Sequence, residues 1–177
     1  MVFTETMDTD IEGSGQIEEV LPRKNALVTP PAANVDQALV FFALRDPEPS
    51  FLLLDRFLVF ISQQNIPAII AFNKAELLPG LKESLGKAYA GCGCPLLFTS
   101  NVTGEGHEEL KHLLCGKTTI LAGPSGAGKS SLVNLLAIDG RMEVGELSRK
   151  TRRGKQTTRH TELLPICGEG YILDTPG

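Results

Sequence analysis

The strongest constraint on the fold is that four short polar motifs each follow an apolar run of strand length. Residues 67–72 (PAIIAF) lead into Asn73-Lys74-Ala75-Glu76, and residues 95–98 (PLLF) into Thr99-Ser100-Asn101. Residues 117–122 (KTTILA) lead into Gly123-Pro124-Ser125-Gly126-Ala127-Gly128-Lys129-Ser130, and residues 171–173 (YIL) into Asp174-Thr175-Pro176-Gly177. Residues 37–44 (QALVFFAL) form a further run without polar interruption after its first residue. Continuous apolar runs of this length mark strands buried on both faces. Helical patterns alternate with them: residues 51 to about 64 behind the capping Ser50, then 81–90, 105–114 and 129–137. A sixth strand is expected over 160–167, forming a hairpin with 169–173 through Gly168 and Gly170. The alternation argues for parallel βαβ units, whose ligands bind outside the carboxyl ends of the strands. The expectation is an α/β fold with a six-stranded, mostly parallel sheet flanked by helices.

The glycine-rich loop has the clearest chemistry. Gly123-x4-Gly128-Lys129-Ser130 follows an expected strand and opens an expected helix, the setting in which such a loop cradles phosphates. Gly123, Gly126 and Gly128 let the backbone wrap so that its N–H groups, with those of Ser125, Ala127, Ser130 and Ser131, face an anion at the helix N-terminus. Lys129 is expected to bridge the β- and γ-phosphates, and the Ser130 hydroxyl to ligate Mg²⁺. Asp174, at the end of an adjacent strand, supplies a carboxylate for the same Mg²⁺ shell, and the Gly177 amide reaches for the γ-phosphate.

The two earlier motifs read as base-recognising. Asn73-Lys74-Ala75-Glu76 resembles the NKxD motif of GTPases, in which a carboxylate accepts hydrogen bonds from guanine N1 and N2, a pattern adenine does not donate. Asn73 tethers neighbouring loops, and the Lys74 stem covers one face of the ring. Glu76 stands where that motif has Asp, and the added methylene changes the reach. Ser100 and Asn101 resemble the loop that contacts guanine O6 through a backbone amide, with Asn101 in place of the usual Ala. In most GTPases the phosphate loop comes first and the base readers follow. Here the base readers lead, the order of a circularly permuted GTPase.

Net charge is −4, but its distribution is uneven. Arg149, Lys150, Arg152, Arg153, Lys155 and Arg159 cluster with no acidic neighbour between them, leaving 11 of the 17 basic side chains elsewhere against 21 acidic ones. This 149–160 stretch includes Thr157 and Thr158, between which the switch threonine that completes the Mg²⁺ shell is not resolved by sequence. The same cations suit RNA phosphates. Cys92, Cys94, Cys115 and Cys167 show no paired zinc spacing, so no zinc site is expected. Asp55 and Arg56 interrupt the most apolar segment, excluding a membrane span there. The acidic, polar residues 1–14 read as a disordered tail without a signal peptide.

The permuted order, GPSGAGKSSLVNLL, GKQTTRHTEL and ILDTPG together resemble the ribosome-small-subunit-dependent GTPase A family, the YjeQ/EngC type. The resemblance runs from about residue 15 to 177. It implies a permuted P-loop GTPase domain over 34–177, preceded over 15–33 by the remnant of an RNA-binding OB-fold and a linker. It also implies GTP and GDP as ligands, GTP hydrolysis with Lys129 and Thr157 or Thr158 in catalytic roles, and docking through the 149–160 stretch on the small ribosomal subunit and its rRNA. The compartment implied is the cytoplasm or, since NKAEL leans towards the plant or cyanobacterial branch, the plastid stroma. The chain departs from the family in carrying Gln156 where a His usually precedes the threonines. It also lacks the second-switch helix and the zinc-binding domain, so a truncated domain with slow intrinsic turnover is expected. Two alternatives stand beside this reading: a nucleotide- or RNA-binding module without turnover, and a guanylate-kinase-like enzyme, whose phosphate loop is similar but lies near the N-terminus.

Overall fold

The computed structural model describes residues 2–4, 16–28, 31–137, 162–166 and 169–174. The chain divides after Asn34 into two compact units. In the first, β1 (Val2–Thr4) pairs antiparallel with β2 (Gln16–Glu19), and β3 (Ala26–Leu27) with β4 (Ala32–Ala33). Val2–Thr4 are therefore extended and paired, although the sequence there reads as part of a polar tail. A three-residue strand carries too little periodicity to stand out, and its hydrogen bonds come from a partner more than ten residues away.

The second unit contains β5 (Gln37–Ala43), α1 (Phe51–Gln63), β6 (Ala68–Asn73), α2 (Leu81–Tyr89), β7 (Leu96–Phe98), α3 (His107–Leu114), β8 (Thr118–Ala122), α4 (Lys129–Leu136), β9 (Glu162–Ile166) and β10 (Gly170–Asp174). Its strands form one six-stranded sheet in the order β7-β6-β5-β8-β10-β9. All neighbours are parallel except β9, which returns antiparallel on β10 with Gly170 opposite Ile166. The expected six-stranded, mostly parallel sheet with flanking helices is what forms, and its chain order is that of a permuted GTPase. Helix α3 starts at His107 rather than at residue 105, because Gly104 and Gly106 both adopt left-handed φ.

The unbroken apolar run of β5 is buried at every position, because helices cover both faces of the sheet. Side chains alternate between faces. Leu39, Phe41, Ile69, Ala71, Leu97 and Leu121 share one cluster with Leu110 and Leu114 of α3 and with Leu132, Val133 and Leu136 of α4. On the other face Phe42 meets Phe57 of α1 edge-on, and Phe72 packs against Phe51 of α1 and Tyr89 of α2. Ser50 caps α1, its hydroxyl accepting from Leu53 N at 3.4 Å. The polar Gln37 is tolerated in β5 because its amide donates to Leu113 O (2.8 Å) and Thr119 Oγ1 (3.0 Å) and accepts from Lys117 Nζ (3.2 Å).

This packing puts the carboxyl ends of β5, β6, β7, β8 and β10 along one edge of the sheet. Phe41 lies in the central strand and is fully buried. Phe41→Ala is expected to lower unfolding free energy by about 3–5 kcal/mol, read as a shift in the urea midpoint without a change in slope.

Candidate nucleotide site

The phosphate loop leaves β8 close against the neighbouring strand β5. Gly123 has φ +150°, and a Cβ there would lie 2.0 Å from the Phe41 carbonyl oxygen, so only glycine permits this close approach. Gly128, with φ +96°, turns the chain into α4, and a Cβ on it would fall 2.5 Å from Asn73 Nδ2. Gly126 faces the ring of Pro47 in the loop after β5. Ser125, Gly126 and Ser130 are exposed, whereas Ala127 is buried beneath the loop. Lys129 Nζ donates to the carbonyls of Gly123 (2.6 Å) and Pro124 (3.0 Å), which folds the side chain back over the loop. Burial lowers the pKa of this ammonium group, and the Asp174 carboxylate acts in the opposite sense. Asp174 therefore lies near enough to Lys129 for its charge to be felt there, at the end of the strand that pairs with β8.

The base-side loops are tied to the phosphate loop by amide side chains. Asn73, the last residue of β6, is buried; its Nδ2 donates to Ala127 O at 2.9 Å and its Oδ1 accepts from Asn101 N at 3.2 Å. Asn101 Nδ2 in turn donates to Gly128 O at 3.1 Å. Three segments far apart in sequence thus share one hydrogen-bond network. Ser100 is buried, and its Oγ accepts from the amides of Val102 (3.3 Å) and Thr103 (3.0 Å), which shapes the loop after β7.

Lys74 adopts a left-handed conformation (φ +59°), and its Nζ donates to the Asp46 carbonyl in the loop after β5. Glu76 sits in a short 3-10 turn over Ala75–Leu77. Its Oε2 is buried and has no hydrogen-bond partner among the described residues. A buried acceptor without a donor costs about 1–3 kcal/mol, and a donor-bearing ligand edge relieves that cost.

The structure therefore brings together Asn73, Lys74, Glu76, Ser100, Asn101, Gly123, Ser125, Gly126, Ala127, Gly128, Lys129, Ser130, Ser131 and Asp174 at one edge of the sheet. Thr157, Thr158, Gly177 and the whole 149–160 basic stretch lie outside the described residues. Three contributors carry no sequence signal of their own. Asp46 and Pro47 support the site through a backbone carbonyl and a proline ring. His107 is buried at the start of α3, with Nε2 3.2 Å from Asn101 Oδ1. Its pKa is lowered by burial and by Lys111, with Glu108 opposing. Among the described residues no group of three or more metal-ligating side chains is found, and no helix is long and apolar enough to cross a membrane.

Asn73→Ala removes the donor to Ala127 O and the acceptor for Asn101 N together. It is expected to cost about 1–3 kcal/mol in urea unfolding, with faster amide exchange in the loop from Gly123 to Ser130.

Known proteins resemble this chain in sequence and fold. The family model for the RsgA GTPase matches residues 20–177. The small ribosomal subunit biogenesis GTPase RsgA of Agathobacter rectalis is 51% identical over 164 residues, covering 92% of this chain and 54% of that protein. The protein of the same name from Caldanaerobacter subterraneus subsp. tengcongensis is 48% identical, covering 94% of this chain and 57% of that one. Among solved structures, YjeQ from Thermotoga maritima superposes with a TM-score of 0.74 at 38% identity, over 93% of this chain and 56% of that one. YloQ, described as a circularly permuted GTPase, gives 0.71 at 31% identity, over 99% of this chain and 54% of that one. The chain thus spans rather more than half the length of these relatives. With the family match covering most of the chain and the permuted sheet shared with both solved structures, this protein belongs to the RsgA GTPase family.

Proposed function

We propose that this chain binds GTP and GDP and hydrolyses GTP to GDP and phosphate during maturation of the small ribosomal subunit. The observation that carries the guanine part is the buried, unpartnered Glu76 Oε2, on a loop joined through Asn73 to the phosphate loop. A carboxylate in that position accepts from guanine N1–H and the N2 amino group. Adenine presents an acceptor at N1 and no amino group at C2, so it leaves the carboxylate unsatisfied. Lys74 is the residue to cover a face of the base, and the loop around Ser100 and Asn101 carries backbone amides suited to O6.

At the phosphate end, backbone amides from Ser125 to Ser131 and the N-terminus of α4 are arranged for an anion. Lys129 is the side chain to meet the γ-phosphate, exchanging its two carbonyl contacts for phosphate oxygens. Its partial burial strengthens that interaction, since charge is screened less away from water. A Mg²⁺ ion fits the donors present: the exposed Ser130 hydroxyl and the Asp174 carboxylate are hard oxygen ligands, and the negative charge of Asp174 already acts on Lys129. Thr157 or Thr158 is assigned as the third protein oxygen. When bound, the ion neutralises charge on the β- and γ-phosphates. The chain's own part in in-line attack by water is to hold the γ-phosphate and stabilise the charge that develops on it, through Lys129 and the loop amides.

The names of the relatives support the small ribosomal subunit as partner; for location we propose a ribosome-containing compartment, the cytoplasm or, from the NKAEL sequence, the plastid stroma. We assign the rRNA contact to the six cations of the 149–160 stretch. Each phosphate they neutralise adds to the dependence of binding on salt.

Titration with fluorescent mant-GDP and mant-ADP tests the nucleotide assignment. Wild type is expected to prefer mant-GDP strongly, and Glu76→Ala to lose about a hundredfold in mant-GDP affinity, the sum of two hydrogen bonds to a charged group, with little change for mant-ADP. Equal affinity for the two nucleotides in the wild type overturns guanine selectivity. Lys129→Ala is expected to reduce single-turnover GTP hydrolysis by about a hundredfold or more, measured with small subunits present. Tight GTP binding with no hydrolysis under those conditions would favour a binding module instead.

A further inference from the structure

We propose that His107 is a positioning residue of the nucleotide site, restraining Asn101 so that the base-side loops and the phosphate loop are held in one register. Its functional consequence rests on the nucleotide-binding reading above, whereas its structural part does not.

The backbone at the start of α3 has little room to move. Gly106 has φ +73°, and a Cβ there would lie 2.2 Å from the Phe98 carbonyl oxygen, so this turn is pressed against the end of β7. His107 N donates to Gly104 O (3.3 Å), and Leu110 N to Gly106 O (3.0 Å). The imidazole, only 8% exposed, is held beside the Asn101 side chain.

The Asn101 amide has two orientations of similar shape, and its neighbours distinguish them. With Nδ2 donating to Gly128 O, Oδ1 faces His107 Nε2 and requires a proton there. In the reversed orientation, Oδ1 would face the Gly128 carbonyl and the amide N–H would face the imidazole N–H, with both contacts repulsive. The acceptor-only Gly128 carbonyl sets the orientation, and His107, donating from Nε2 to Oδ1, adds a second restraint that holds Asn101 against the phosphate loop. Burial and Lys111 favour the neutral ring against the opposing effect of Glu108, and in that ring the contact with Asn101 Oδ1 calls for the Nε2–H tautomer.

The Gly128 carbonyl also accepts from Leu132 N at 3.0 Å in the first turn of α4, and the Asn101 backbone amide donates to Asn73 Oδ1. One imidazole contact thus bears on the ends of β6 and β7 and on the phosphate-loop turn into α4. An apolar residue at position 107 would fill the same space but leave the amide held from the Gly128 side alone.

The test compares the 177-residue wild type with His107→Leu, His107→Gln and Asn101→Ala by two readouts. In nucleotide-free protein, amide hydrogen exchange in the loop from Gly123 to Ser131 is expected to quicken about fivefold in H107L, the factor carried by one net hydrogen bond. H107Q, whose side-chain amide restores a donor, is expected to stay within twofold of wild type. The mant-GDP dissociation rate should follow the same order, and adding H107L to Asn101→Ala should cause no further change. Unchanged loop exchange in H107L, equal losses in H107L and H107Q, or a full H107L effect in the Asn101→Ala background would each overturn the proposal. If H107L does not fold, H107Q must match wild type while Asn101→Ala loosens the loop, and any other result overturns it. Wild type that fails to bind mant-GDP would refute the nucleotide reading, while loop exchange would still decide the role of His107.

Discussion

The site depends on one buried amide. Asn73 closes β6 and spans the gap to the phosphate loop, donating to the Ala127 carbonyl and accepting from the Asn101 backbone. Parallel strands make no direct connection between the loops at their carboxyl ends, because each chain segment leaves that edge into a helix and returns at the opposite edge. Side chains must therefore join those loops, and an amide suits the role because it donates and accepts at once. The same position explains the demand for glycine at 128, where any Cβ would displace the Asn73 nitrogen.

Permutation leaves this arrangement intact because the site is a property of the sheet edge rather than of chain order. β5 lies between β6 and β8, so a base-side strand and the phosphate-loop strand flank the same central strand whichever comes first in the chain. The Phe41 carbonyl of that central strand is what Gly123 packs against. Shifting the chain's start moves the connections around the sheet but changes neither neighbour. The antiparallel β9–β10 hairpin at the far edge completes the sheet and sets Asp174 beside the phosphate loop.

Two charged groups in the site are held at some cost to the folded state. Lys129 is partly desolvated, and Glu76 keeps a carboxylate oxygen buried with no donor among the described residues. Such groups weaken a fold and strengthen a site, because charge acts further where water is thin. Away from the site, the buried amide of Gln37 is by contrast fully paired, with three partners.

Much of this was readable from the chain alone. Unbroken apolar runs marked the sheet's strands, since burial on both faces leaves no room for alternation. Motifs at their ends marked the binding edge, and their order along the chain marked the permutation, because order is a property that sequence carries completely. Folding alone could bring Asp46 to Lys74, Pro47 to Gly126 and His107 to Asn101. These contacts depend on where α1 and α3 begin relative to their strands, to within an ångström. A carbonyl, a proline ring and an unremarkable histidine have no local pattern that distinguishes them. The residue types gathered at the sheet edge were written in the motifs; which neighbours hold those residues still was decided only by the tertiary structure, because packing distance and hydrogen-bond direction exist only once the sheet has closed.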